Sequence, residues 1–289
     1  MLVIFNPVAG RRRAAALWRV LDLLIENGVK LEVAETQHVG HAVELARAAA
    51  LDGAGMVVAA GGDGTIAEVA NGLLGSRTAL GIIPLGTANV LAKEFGLSTS
   101  PRGIANTLAY RRTKRLWPGI AQSPGHEHIF VQMVGLGFDG AVVHHLPRLL
   151  KRVIGQGAYV FQSVWESMAY KFPPLSLKID GKPFEAASVV VSKGRYYGGA
   201  HTLAPQAQPQ SPGFQVVLFE TPGTLSSLIS GAALPLGLLP HCPGVRIIPA
   251  SHVEFASPAG VLAQADGDAL PATPLAIVNS SSSISLAVG

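Results

Sequence analysis

The chain has 289 residues, a formal net charge of +4, 48% hydrophobic residues and only 14% charged ones. That length allows one large domain or two moderate ones with substantial cores, and the low charge content implies an unusually apolar or uncharged polar surface. Its single cysteine, Cys242, excludes an intramolecular disulfide and a multi-cysteine metal site, which suits a reducing, cytoplasmic compartment.

Residues 2–5 are an apolar strand, and with no basic stretch before them they do not read as a signal peptide. The strand ends in Asn6-Pro7-Val8-Ala9-Gly10-Arg11, continued by Arg12 and Arg13. Leu17, Val20, Leu21, Leu24 and Ile25 have helical spacing, predicting a helix over 14–27 that Gly28 stops. Strands follow at 31–34, 56–60 and 80–83, and helices at 41–50 and 66–74. This alternation predicts an α/β fold, a mostly parallel sheet with helices on both faces, in which ligands collect at the carboxyl ends of the strands.

The character changes after about residue 115. Apolar runs at 129–134, 175–179, 187–191, 214–219 and 245–248 alternate with Gly/Pro-rich turns, predicting a mainly β domain with one helical insertion at about 146–169. Asp180-Gly181 is a hairpin signal. The most apolar later stretch, 225–239, is broken by serines, Pro235 and Gly237, so no transmembrane segment is expected. Ser280 to Ser283 fit either a flexible tail or a polar edge between two apolar runs.

Basic clusters occur at Arg11-Arg12-Arg13, at Arg111-Arg112-Thr113-Lys114-Arg115 and at Arg148-Leu149-Leu150-Lys151-Arg152. They suit an anionic membrane surface or a polyphosphate. Nucleic acid is not expected, because no aromatic interleaving or nucleic-acid module accompanies them. The histidines His38, His41, His144 and His145 lack nearby acidic or cysteine partners in sequence, so no zinc centre is expected.

The most specific segment is Gly61-Gly62-Asp63-Gly64-Thr65, between a predicted strand and a predicted helix. Glycines let the backbone approach a polyphosphate, and the N–H groups opening a helix favour negative charge. A carboxylate there suggests a bridging Mg²⁺, direct or through water. In isolation the segment also fits a tight turn with Asp63 as N-cap. Two further strand ends, at Asn6 to Arg11 and at Pro84-Leu85-Gly86-Thr87-Ala88-Asn89, carry small and phosphate-compatible residues. Three such loops at one sheet edge point to a nucleotide site. Neither G-x-x-x-x-G-K-[ST] nor G-x-G-x-x-G is present.

The ordered series Asn6-Pro7-x-Ala9-Gly10, Gly61 to Thr65 followed by Ile66 to Leu73, and Pro84 to Ala92 resembles the diacylglycerol kinase catalytic family, which includes bacterial soluble lipid kinases and sphingosine kinases. Gly135-Leu136-Gly137-Phe138-Asp139, Leu150-Lys151-Arg152 with Gly155 and Tyr159, and Gln264-Ala265-Asp266-Gly267-Asp268 continue the likeness across nearly the whole chain. The resemblance implies a three-layer α/β nucleotide domain over 1–118, to which 272–289 return, and a mainly β sandwich domain over 119–271. It also implies an intervening cleft for ATP, Mg²⁺ and a lipid hydroxyl.

By position, Asn6, Pro7, Gly10, Arg11, Thr36, Gly61, Gly62, Asp63, Gly64, Thr65, Glu68, Gly86, Thr87 and Asn89 would hold the nucleotide. Asp63 would meet Mg²⁺, with Asp139 joining through water. Asp266 and Asp268 correspond to the family's Asp-Gly-Glu, where the general base lies, and either could deprotonate the substrate.

Val90 stands where relatives often carry an acidic residue. Ser211-Pro212-Gly213 replaces an Asp-Asp-Gly that holds a structural Mg²⁺ in relatives, so that second site is expected to be weak or absent. The resulting expectation is a lipid kinase acting on diacylglycerol, a sphingoid base or a related lipid, peripherally attached to an anionic membrane. A homodimer is left open. The alternatives are a kinase of a soluble nucleotide or sugar and a noncatalytic binding protein.

Overall fold

The computed structural model describes residues 1–10, 14–146 and 156–289. Arg11 and the segment Leu150-Lys151-Arg152 with Gly155, all named above, lie outside the described residues. The chain divides into two compact units, Met1–Trp117 with Ser281–Gly289, and Pro118–Ser280.

The first unit runs β1 (Leu2–Phe5), α1 (Pro7–Gly10), α2 (Ala14–Glu26), β2 (Glu32–Glu35), α3 (His41–Leu51), β3 (Met56–Gly61), α4 (Asp63–Leu73), β4 (Ala79–Pro84), α5 (Val90–Glu94), α6 (Pro101–Tyr110) and β5 (Thr113–Leu116). Its sheet has the order β2-β1-β3-β4, then the C-terminal strand Ile284–Ala287, then β5. Pairing is parallel except where the C-terminal strand meets β5.

β3 and β4 are buried along their whole length, which is why they read as continuous apolar runs. On one face Val3, Met56, Val58 and Ile83 pack with Leu17 and Leu21 of α2 and Leu108 of α6. α3 and α4 take the other face, where Gly72 lets them cross closely: a Cβ there would stand 2.5 Å from the Val43 carbonyl oxygen. The three-layer α/β fold expected from the alternation is therefore present.

The second unit contains β6 (Gly119–Ser123), β7 (His126–Phe130), β8 (Met133–Gly137), α7 (Phe138–His145), α8 (Gln156–Ala169), β9 (Leu175–Ile179), β10 (Lys182–Ala186), β11 (Ser188–Ser192), β12 (Tyr196–Tyr197) and β13 (His201–Thr202). It continues through β14 (Phe214–Phe219), α9 (Thr224–Ala233), β15 (Val245–Ala250), β16 (His252–Ser257), β17 (Ala263–Ala265), β18 (Asp268–Leu270) and β19 (Leu275–Asn279). Two antiparallel sheets, β10-β9-β16-β19-β6-β7 and β15-β14-β11-β8-β17-β18, face each other across a core that includes Phe130, Leu136, Leu177, Val191, Val216 and Phe255. This is the β sandwich. β9 alternates buried and exposed residues along its length, the pattern of a strand with one face on a core.

Three predicted elements differ in a way that bears on function. The helix expected over 66–74 begins at Asp63, so the glycine-rich motif forms its first turn. The run 129–134 is not one strand: it breaks at Val131 and Gln132 between β7 and β8, because the Asp266 carboxylate draws off the backbone N–H groups there. Near the helical insertion, α7 already starts at Phe138, ahead of the expected 146, and the described end of the insertion is α8, which stops at Ala169 as expected.

Candidate active site

Because β1, β3 and β4 are parallel neighbours, their carboxyl ends lie on one edge and bring the three motif loops of the first unit together. The Asn6 side-chain amide donates to Thr65 Oγ1 at 3.0 Å, and Asn6 Oδ1 accepts the N–H of Val8, also at 3.0 Å. The N–H groups of Leu85 and Gly86 both donate to the Gly61 carbonyl, at 2.9 and 3.2 Å. Thr36, at the end of β2, donates its N–H to the Phe5 carbonyl and so joins the same edge.

Two glycines are demanded by close approach rather than by turn geometry. A Cβ on Gly86 would lie 2.6 Å from the Gly62 Cα, so these loops touch backbone to backbone. A Cβ on Gly61 would lie 2.5 Å from Thr65 Oγ1 and displace the hydroxyl that Asn6 holds. The first turn of α4 has no side-chain cap on Gly62, which leaves helix-opening N–H groups without an intrahelical acceptor. Such a turn is suited to anionic oxygens.

Asp63 is used structurally. Its Oδ1 accepts the N–H of Val90 at 2.6 Å, capping α5 from α4. Burial raises its carboxyl above the ordinary carboxylate value, against the opposing pull of backbone N–H groups at Val90, Asn89 and Leu91. Glu68 plays a parallel part, accepting the N–H groups of Gly40 and Ala42 at 3.1 and 3.2 Å and so capping α3. Asn89 is buried in a left-handed conformation (φ 47°) and donates to the Gly86 carbonyl at 2.7 Å, while Thr87 is exposed. Pro7 and Gly10 lie in the short α1 that follows Asn6.

In the second unit, Asp266 occupies a left-handed turn position (φ 49°). Its carboxylate accepts three backbone N–H groups, from Val131 at 2.7 Å and from Gln132 and Met133 at 2.9 Å. Asp268 is exposed, and its charge supports the protonated form of His128, whose pKa burial holds below the ordinary histidine value. The two carboxylates of one motif thus have different surroundings.

Residues 1–119 match the diacylglycerol kinase catalytic domain, and residues 132–288 match the YegS C-terminal NAD kinase beta sandwich-like domain. The chain belongs to the diacylglycerol kinase catalytic family. A diacylglycerol kinase from Bacillus subtilis is 29% identical over 248 residues, covering 81% of this chain and 78% of its own. A Pseudomonas aeruginosa PAO1 protein named "Probable lipid kinase YegS-like" is 31% identical over 246 residues, covering 80% of this chain and 76% of its own. A crystal structure of a diacylglycerol kinase from Bacillus anthracis superposes on all of this chain with a TM-score of 0.74 at 19% identity, a likeness of fold.

In this diacylglycerol kinase family member, Asp139, expected to join Mg²⁺ through water, is held by protein donors. The Asp139 carboxylate is buried, and both oxygens accept from neutral donors: the Tyr197 hydroxyl on Oδ1 and the Gln264 side-chain amide on Oδ2, the latter at 2.7 Å. Burial raises its pKa, against the opposing pull of the Tyr197 and Gln264 hydrogen bonds. Gly135 leaves the space this carboxylate fills. Asp139 is a strut joining α7, β17 and the β12 turn.

Sequence reasoning also missed Lys193. It is fully buried, and its ammonium donates to the carbonyls of Ser211 and Gly213 at 2.9 and 2.8 Å, beside the Phe214 ring. Burial lowers its pKa to about 8. An internal cation therefore holds the loop that was considered above as a structural metal site. The signal was a lysine directly extending the buried strand Ser188–Ser192. The histidine reading also changes, because Glu44 joins His38 and His41 with ligand atoms within 4.8 Å. His41 Nδ1, however, accepts the Gln37 N–H at 3.1 Å, so in the neutral ring Nε2 carries the proton and has no lone pair for a metal.

Proposed function

We propose that this chain transfers the γ-phosphate of ATP to a hydroxyl of diacylglycerol, a sphingoid base or a related lipid, at an anionic membrane surface. The observation that carries this reading is the convergence of the Asn6, Gly61 to Thr65 and Gly86 to Asn89 loops on one sheet edge, in a chain that belongs to a lipid kinase family.

The backbone N–H groups opening α4 would bind phosphate oxygens, and the contact of Gly86 with Gly62 would hold the loops close enough to do so. Asp63 and Glu68 would act by positioning, since each carboxylate caps the neighbouring helix. The Asp63 oxygen bonded to Val90 is committed, so Mg²⁺ would accompany the polyphosphate with most of its waters rather than sit in a protein cage.

Proton removal from the lipid hydroxyl is assigned to Asp268. A carboxylate already accepting three N–H groups, as in Asp266, is a weak proton acceptor, whereas Asp268 is exposed. Asp266 would shape the turn that presents Asp268. The hydroxyl oxygen would then form the new P–O bond as the bond to the β-phosphate oxygen breaks, with ADP leaving.

The test is transfer of labelled γ-phosphate to a panel of lipids in mixed micelles, with a soluble dinucleotide alongside. Phosphorylation of a lipid but not the dinucleotide supports the reading. Labelling of the dinucleotide alone, or of nothing on the panel, would overturn it.

A further inference from the structure

α9 is inside out. Leu225, Leu228 and Ile229 lie at helical spacing and are 72%, 41% and 51% exposed, whereas Ser230 is buried and Ser226 and Ser227 are half-buried. A helix in water normally turns its leucines inward and its serines outward. The apolar exposure continues past the helix at Leu236, 70% exposed.

A second helix extends the same surface. α8 packs against α9, and the Thr224 hydroxyl at the start of α9 donates to the Ser167 carbonyl near the end of α8 at 2.7 Å. α8 contributes Trp165 and Met168, 60% and 64% exposed. Contiguous apolar exposure of this kind marks a binding surface.

The surrounding charge favours one occupant. No Asp, Glu, Lys or Arg occurs between Glu220 and Arg246, so α9 and the turn after it carry no formal charge apart from His241. Glu166 is buried with His145 Nδ1 at 3.0 Å, while Lys171 is exposed and lines the same cavity as Trp165. An uncharged apolar face with an exposed tryptophan and the exposed Lys171 beside it matches an anionic lipid surface.

We propose that the α8–α9 face of the second unit enters the acyl boundary of an anionic bilayer. The inference deepens the lipid kinase reading and rests on it. Leu225, Ile229 and Leu236 would lie among acyl chains, with Trp165 and Lys171 at the level of the headgroups.

The test uses the full chain without nucleotide, floated with vesicles of equal parts phosphatidylglycerol and phosphatidylcholine. Wild type should float, and the double variant Leu225→Glu with Ile229→Glu should partition at least ~10-fold less, since two carboxylates replace aliphatic groups that would enter the bilayer. Both positions are exposed in the fold, so circular dichroism should be unchanged. In wild type, brominated lipid should quench fluorescence that is absent from Trp165→Phe, a readout independent of how the double variant folds.

Phosphate transfer to lipid in detergent micelles is measured separately. Its failure with flotation intact would count against the kinase reading and leave the membrane face standing. Equal flotation of wild type and double variant, or no flotation of wild type, overturns the proposal. So does a wild-type dimer that does not float and that the same substitutions split on sedimentation, because the face would then be covered by a second copy of this chain.

Discussion

The carboxylate of Asp63 accepts the backbone N–H of Val90 at 2.6 Å, tying the glycine-rich turn to the end of the Pro84 to Asn89 loop. One residue therefore serves loop geometry before it serves any ligand. Asp63→Asn retains an acceptor for Val90 and should remain folded to within about 1 kcal/mol of wild type, whereas Asp63→Ala loses the tie and should cost about 1–3 kcal/mol. Urea denaturation reads both. If only the alanine variant loses lipid phosphorylation, the role is positional; equal loss in both assigns it to charge.

Asp266 and Asp268 should separate by what they disturb. Asp266→Ala strands three backbone N–H groups of the Val131 to Met133 segment and should destabilise by about 2–4 kcal/mol. Asp268→Ala should change stability by no more than about 0.5 kcal/mol but lower turnover by roughly 10²–10⁴-fold, the usual contribution of a general base. Normal turnover in Asp268→Ala would remove it from the mechanism.

Glu68 caps α3 through Gly40 and Ala42. Its replacement by alanine should cost about 1–2 kcal/mol, as loss of a helix cap does, with Glu68→Gln closer to wild type. The check is the denaturation midpoint of each variant.

Lys193 should make stability depend on alkaline pH. Its pKa is about 8 in the fold and 10.5 ordinarily, so between these values the unfolded chain holds the proton more tightly. Stability must then rise with pH across that window and stay flat below it, by ~3 kcal/mol at most relative to Lys193→Met. Parallel pH curves for wild type and variant would show that burial leaves the amine unperturbed.

The parallel α/β sheet and the loops at its edge were legible in the sequence, because strand and helix periods differ and glycine-rich strand ends are local signals. The break between β7 and β8 was not, since Val131 and Gln132 are apolar and amide residues that would fit a strand. They are drawn out of the ladder by Asp266, more than a hundred positions away in the chain. The partners of Asp139 were hidden for the same reason, since Tyr197 and Gln264 are distant in the chain.

By itself the sequence determined the order of elements, the phosphate-compatible motifs and the family resemblance they carry. The tertiary structure decided which carboxylates are committed to backbone donors, where a buried ammonium holds a loop, and which helix turns its leucines outward. Local pattern follows from backbone sterics and side-chain period. Hydrogen-bond partners and burial depend on residues distant in the chain, and these govern whether a charged or apolar side chain can meet a ligand.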